Sequence, residues 1–216
     1  MLQTIKVLDK KIYDISLPLN IRTKVFPGDT PLQYNFLHHV ETGDSVTLSD
    51  FTCTTHIGTH ADSPFHYLEG EQTIGELDLD LFIGTCHVVR VNPMVTTPIM
   101  PDELPEINVF PQRILFCTTT ENKYNEWTNN YRTPSIQLID FLHKKGVKLM
   151  GIDTPSVDAV NTNDAPIHKR IFNTGMVILE NLYLNEVPEG EYELIALPLK
   201  FTELEASPVR AILRTL

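Results

Sequence analysis

His56-Ile57-Gly58-Thr59-His60-Ala61-Asp62-Ser63-Pro64-Phe65-His66 places three of the chain's eight histidines and one aspartate within eleven residues. Neutral imidazole and carboxylate are ligands that zinc and manganese accept, so the stretch has the composition of a metal site. The candidate ligands at 56, 60, 62 and 66 would share one face of an extended segment. Full extension is excluded, because at roughly 3.3 Å per residue His56 and His60 would stand about 13 Å apart, near the limit for sharing an ion. A regular helix would bring residues four apart together but would turn Asp62 away from His60. Gly58 and Pro64 oppose a helix as well. The segment is therefore expected to be a bent strand end or tight loop that curls its polar side chains around a centre. Four candidate ligands around a glycine and a proline favour a metal over a merely histidine-rich surface loop.

Working outward, the β-branched run from Val46 to Thr55 reads as a strand that delivers this loop. Upstream, the alternation of Ile12, Ile15, Leu17, Leu19 and Ile21 predicts a strand over residues 12–21. Phe26-Pro27-Gly28-Asp29-Thr30-Pro31 is turn chemistry. His38 and His39 precede the turn signal Thr42-Gly43-Asp44-Ser45 and are expected on a strand near the surface rather than on a metal. Downstream, a short element is expected over 77–82 and strands over 87–91 and 113–118, with His87 structural. Five prolines between Asn92 and Pro111 make the intervening stretch an irregular connection. Residues 121–133, with Tyr124 and Trp127, read as a loop or short helix.

The clearest supersecondary unit follows. Ser135 is a plausible N-cap, Ile136, Leu138, Ile139 and Leu142 form a helical apolar stripe, and Gly146 is the stop. A buried strand over 147–152 then completes a strand, helix, strand unit, which implies a parallel α/β arrangement with ligands at the strand ends, where Asp153 stands. A short helix is expected over 164–172 carrying His168, then a strand over 176–179 ending in Glu180, and closing strands over 192–197 and 209–213.

The 216 residues can bury a substantial core and are expected to form a single domain. A hydrophobic fraction of 42% and a charged fraction of 21% are those of an ordinary soluble protein. No apolar run is long enough to span a bilayer. Charges at Asp9, Lys10 and Lys11 interrupt the amino-terminal stretch, which offers no signal-peptide core, so a cytoplasmic location is expected. A formal charge of -11 disfavours nucleic acid and anionic membranes as partners. Cys53, Cys86 and Cys117 are too few and too scattered for a disulfide framework and read as buried thiols.

The pattern His56-x-Gly58-Thr59-His60-x-Asp62-x-Pro64-x-His66 resembles the signature of the metal-dependent cyclase superfamily, which includes bacterial kynurenine formamidase and isatin hydrolase. Phe65 makes the motif more similar to the formamidase branch, since isatin hydrolases typically carry Arg there. Asp14-Ile15-Ser16 with Pro27-Gly28-Asp29-Thr30-Pro31, Gly151-Ile152-Asp153-Thr154-Pro155-Ser156-Val157-Asp158, residues 192–200 and Ser207-Pro208-Val209-Arg210 resemble further blocks of that family, so the likeness covers nearly the whole chain. It implies an α/β fold with a mixed sheet and few helices, of the swivelling β/β/α type, assembled as a homodimer or higher oligomer. It implies His168 and Glu180 as further ligands, with His56, His60 and Asp62 on one ion and Asp62, His66, His168 and Glu180 on a second. Zinc is the expected metal and manganese the alternative, at one or two ions per subunit. With one ion, His66 is instead a catalytic acid and base. The implied reaction is hydrolysis of an N-formyl arylamine, N-formylkynurenine in tryptophan breakdown. A hydrolase or cyclase for a cyclic imide, lactam or lactone, and a metal-stabilised binding protein without turnover, are the alternatives. Phe26 would form an active-site wall where relatives commonly have Trp, Arg210 is expected to pair with an acidic neighbour, and Glu205-Ala206 replaces a frequent Asp-Gly.

Overall fold

The computed structural model describes residues 10–120 and 126–216, and the expectations for residues 1–9 and for Tyr124 lie outside the described residues. The elements follow one another as β1 (Ile12–Asp14), β2 (Gln33–His38), β3 (Leu48–Thr52), β4 (His60–Asp62), β5 (Ile83–Arg90), β6 (Arg113–Cys117), α1 (Ile136–Lys144), β7 (Leu149–Ile152), α2 (Pro166–Asn173), β8 (Val177–Glu180), β9 (Gly190–Ile195), β10 (Ala206–Pro208) and β11 (Ile212–Thr215). Among the described residues, nine strands form one mixed sheet in the order β1-β11-β9-β5-β6-β7-β8-β4-β10. Its centre, β5 to β8, is parallel, and antiparallel pairs flank it on both sides.

Strands β6, β7 and β8 are buried throughout and read as near-continuous apolar runs because both of their faces are covered. Ile114, Phe116, Met150, Ile152 and Ile178 point into a cluster with Leu138, Ile139, Leu142, Ile167 and Ile171 of the two helices. The alternate residues Leu115, Cys117, Leu149 and Leu179 point into a second cluster with Leu182, Leu194 and Leu213. The fold is thus an α/β mixed sheet with few helices, as expected.

Local chemistry sets the helix boundaries. The Ser135 hydroxyl accepts from the Leu138 amide at 3.1 Å, and Gly146 closes α1 with a φ of +83°. Helix α2 opens on Pro166, and the Asp158 carboxylate accepts from the Ile167 and His168 amides, both at 3.0 Å, as an N-terminal cap supplied from a distant position.

Three expectations change in detail. The predicted strand over 12–21 stops at Asp14, because Pro18 lacks an amide donor and Asn20 and Thr23 bond back on their own turn. The strand over 46–55 shortens to Leu48–Thr52 and pairs with β2 in a separate two-stranded ribbon, every residue of which is exposed. Strand β10, which contains Pro208, was not expected. It lies at the sheet edge, where a missing amide is tolerated. Of the three thiols, Cys86 and Cys117 are buried, which pushes both up to about 12, whereas Cys53 is only partly buried.

Candidate metal centre

Strand β4 sits between β8 and β10, wholly buried. Alternation turns Ala61 into the core and leaves His60 and Asp62 on the other face. The register with β8 pairs His60 with Glu180, so the carboxylate of a residue 120 positions away lies beside the imidazole, Oε2 to Nε2 at 3.4 Å. Thr59 anchors the strand's entry: its hydroxyl donates to the Asn181 carbonyl at 2.6 Å and accepts from the Leu17 amide at 2.8 Å. Gly58 takes a φ of +60°, and the turn at Pro64–His66 folds His66 back, its ring 4.3 Å from that of His56. Helix α2 brings His168 in from its buried face.

All six candidate ligands meet. His56 Nδ1 and His60 Nε2 lie 3.2 and 3.5 Å from Asp62 Oδ1, and His168 Nε2 lies 3.8 Å from Asp62 Oδ2 and 3.3 Å from Glu180 Oε1. The side chains of His60, Asp62, His168 and Glu180 are at most 4% exposed. Among the described residues, two sets have ligand atoms within 4.8 Å of one another, His56 with Asp62 and His66, and His60 with Asp62 and Glu180. Asp62 is common to both. This grouping differs from the division the resemblance implies, because register sets Glu180 opposite His60 while the Pro64 turn lays His66 against His56.

Both oxygens of Asp62 and Nε2 of His60 are buried without a hydrogen-bond partner among the described residues. A carboxylate so placed costs several kcal/mol unless positive charge faces it, whether from an imidazolium or from a metal ion. Meanwhile the outer nitrogen of each of three imidazoles is held: His60 Nδ1 by the Gly58 carbonyl at 2.8 Å, His168 Nδ1 by Asp158 at 2.7 Å and His56 Nε2 by Glu205 at 3.2 Å. Outer-nitrogen partners of this kind orient metal-ligating imidazoles. The donor set, imidazole and carboxylate without thiolate, fits a divalent ion such as zinc or manganese.

The electrostatics demand positive charge. Burial opposes protonation of His56, yet Asp62 beside it outweighs burial and carries the imidazole up to about 10. His168 is likewise raised against burial, by Asp158, Asp62 and Glu180. Asp62 stays well below its usual range, because His56 and His60 overcome the effect of its complete burial. His66 is pushed down to about 4, first by burial and then by repulsion from His56 and His168, so it is neutral near pH 7.

Above these groups opens a cavity of about 1000 Å³. Phe26 stands in its wall, and Trp127 meets it edge to face at 5.5 Å. Tyr67 lies 4.2 and 4.7 Å from the rings of His66 and His168. The wall at 118–120 is pinned by Asp153, which accepts from the Thr118 amide and hydroxyl and the Thr119 amide at 2.8, 2.6 and 3.1 Å. Burial pushes Asp153 up to about 6. Trp127 and Glu205 were not legible as site residues: one lies in a polar loop, and the other precedes a strand that carries no pattern. The remaining candidates fall elsewhere. Arg210 pairs with Asp14 at 3.0 Å, and His38 and His39 are exposed beside Asp44 at the ribbon tip.

The sequence matches the Cyclase family, described as putative cyclase, over residues 13–159. It is 39% identical over 211 residues to a kynurenine formamidase of Bordetella petrii, covering 96% of this chain and 99% of that protein. The fold superposes on a potential metal-dependent hydrolase with cyclase activity with a TM-score of 0.83 at 25% identity, over 96% of this chain and 98% of the other. An isatin hydrolase bound to the product analogue thioisatinate shares the fold, with a TM-score of 0.81 at 19% identity over 95% of this chain and 92% of the other. A match across most of the chain, with the motif residues gathered round one buried carboxylate, makes this protein a member of the cyclase family.

Proposed function

We propose that the chain is a metal-dependent arylformamidase, acting as a single domain, that hydrolyses N-formylkynurenine to kynurenine and formate. The observation that carries this reading is the wholly buried Asp62 carboxylate, ringed at 3.2 to 3.8 Å by the imidazoles of His56, His60 and His168 at the cavity floor. The full-length likeness to a kynurenine formamidase supports the substrate. His56, His60, Asp62, His66, His168 and Glu180 hold one or two divalent ions, with zinc the expected metal and manganese the alternative. Such an ion, when bound, acidifies water and polarises a carbonyl oxygen.

The chain's own residues do the rest. The aromatic walls at Phe26, Trp127 and Tyr67 seat an aryl ring and exclude water from the carbonyl. His66, neutral at the cavity floor, is a ligand in the two-ion form. In the one-ion form it takes the proton from water and returns it to the departing arylamine nitrogen. An arylamine leaves more readily than an alkylamine, and a formyl group needs little room beside the imidazoles.

The protein works in the cytoplasm as a homodimer or higher oligomer on a small-molecule substrate. No helix of the described residues is long and apolar enough to cross a membrane. The exposed ribbon face of Tyr34, Phe36 and Phe51 supports self-association. Assay of the zinc-loaded protein against N-formylkynurenine and isatin tests the reading. Release of kynurenine and formate with little action on isatin is expected. Preference for isatin points to the cyclic-amide branch, and a filled site that turns over neither substrate points to a binding protein.

A further inference from the structure

We propose that Glu205, which lies outside the six ligand candidates, is a positioning residue for the metal centre: it holds the His56 ring with Nδ1 toward Asp62 and the ion. The inference rests on the metal-site reading above and deepens it.

The backbone at Glu205 is fixed to the strand that carries Asp62. Its carbonyl accepts from the Ser63 amide and hydroxyl, both at 2.9 Å, and the next residue, Ala206, stands opposite Asp62 in the pairing of β10 with β4. From that anchored position the side chain turns toward the cavity. Oε1 accepts from the Thr55 hydroxyl at 2.6 Å and meets His56 Nε2 at 3.2 Å, while the opposite ring nitrogen lies 3.2 Å from Asp62 Oδ1. The imidazole thus spans two carboxylates, one on each nitrogen.

An imidazole can present either nitrogen to a metal, and the partner on the other nitrogen decides which. His60 takes its partner from the backbone two residues earlier, and His168 takes its partner from the carboxylate that caps its own helix. His168 thus inherits its orientation from its own helix, and His60, itself on β4, from the backbone just before that strand. His56 lies in a turn, outside any strand or helix, so its ring angle depends on Glu205. Thr55 donates to the same oxygen and keeps the carboxylate from rotating away. Glu205 on Nε2 keeps the proton there and leaves the Nδ1 lone pair for the ion.

The test measures Zn²⁺ alone, titrated into metal-free wild type, Glu205→Ala and Glu205→Gln in competition with a chromophoric chelator. Glu205→Ala is expected to weaken Zn²⁺ binding by ten- to a hundredfold. Glu205→Gln keeps an acceptor oxygen and the side-chain shape, so it is expected to lose less and serves as the variant that preserves folding. Nitrogen NMR of the Zn²⁺-loaded protein should find the His56 proton on Nε2 in wild type and that preference lost in Glu205→Ala. Wild-type affinity together with an unchanged His56 tautomer in both variants overturns the proposal and leaves the metal-site reading intact. Absence of Zn²⁺ uptake by the wild type overturns both.

Discussion

Glu180 lies directly opposite His60 across the pairing of β8 with β4, with its Oε2 3.4 Å from the imidazole and its Oε1 held by the Val157 amide at 2.7 Å. Oε1 therefore serves both the fold and His168, 3.3 Å away, while Oε2 is turned to His60. Because side chains alternate along a strand, a slip of one residue in this register would send Glu180 to the opposite face and dismantle the centre. The same strand pairing that closes the sheet brings candidate ligands from two distant segments together.

Metal uptake should release protons. His56 is held up to about 10, so at pH 7 its inward nitrogen carries a proton that must leave before it can bind an ion, and His168 is raised in the same direction. Calorimetric titration of the metal-free protein with Zn²⁺ in two buffers of different ionisation enthalpy should show net proton release, with affinity rising as the pH climbs toward about 10. Binding heats that do not depend on the buffer would contradict this.

The metal-free protein should lose stability as the pH rises. A folded-state pKa of about 10 for His56 against an ordinary 6.5 contributes stability that is fully present below pH 6.5 and is lost as the pH climbs to about 10. Thermal melts of the metal-free protein should fall by roughly 5 °C or more over that interval. The Zn²⁺-loaded protein should change less, since its imidazoles are already deprotonated.

Gly58→Ala should loosen the site loop. The residue has a φ of +60°, and an added Cβ would come within 2.3 Å of Leu19 Cδ2. Backbone strain at such a position costs about 1 to 3 kcal/mol. The shift would also move the carbonyl that orients His60, so denaturant melts and Zn²⁺ affinity should fall together.

Asp158→Asn should act at two places at once. It weakens the cap on α2, worth about 1 kcal/mol, and the contact that orients His168. Zn²⁺ affinity is expected to drop by roughly ten- to a hundredfold. A stability loss without any change in metal affinity would restrict Asp158 to a capping role.

Trp127→Ala should raise KM for an aryl formamide by roughly fivefold while leaving kcat nearly unchanged, because an aromatic contact of about 1 kcal/mol is removed from binding and not from the chemistry. An equal fall in kcat would instead place Trp127 in the reaction itself.

Much of this candidate centre was legible in the chain because its first candidate ligands are close together. His56, His60, Asp62 and His66 lie in one motif, and the helix from Ser135 and the apolar strands around it follow ordinary capping and periodicity. His168 and Glu180 were reached only through family resemblance, since no local pattern marks a helix histidine or a strand-end glutamate as a ligand. The partition of ligands depends on the β4–β8 register, a long-range pairing that single-chain periodicity does not encode. Glu205 was noted only as a departure from Asp-Gly. Its contact with His56 comes from β10, a three-residue strand too short and too proline-marked to be read in advance.

The central claim is that Asp62 and the imidazoles around it hold a divalent ion. Anomalous diffraction at the zinc edge, from crystals of the Zn²⁺-loaded protein, tests it most directly. The account predicts a peak at about 2.0 to 2.2 Å from Asp62 and from at least two of His56, His60, His66 and His168. A fully loaded crystal with no anomalous peak beside Asp62 would contradict it.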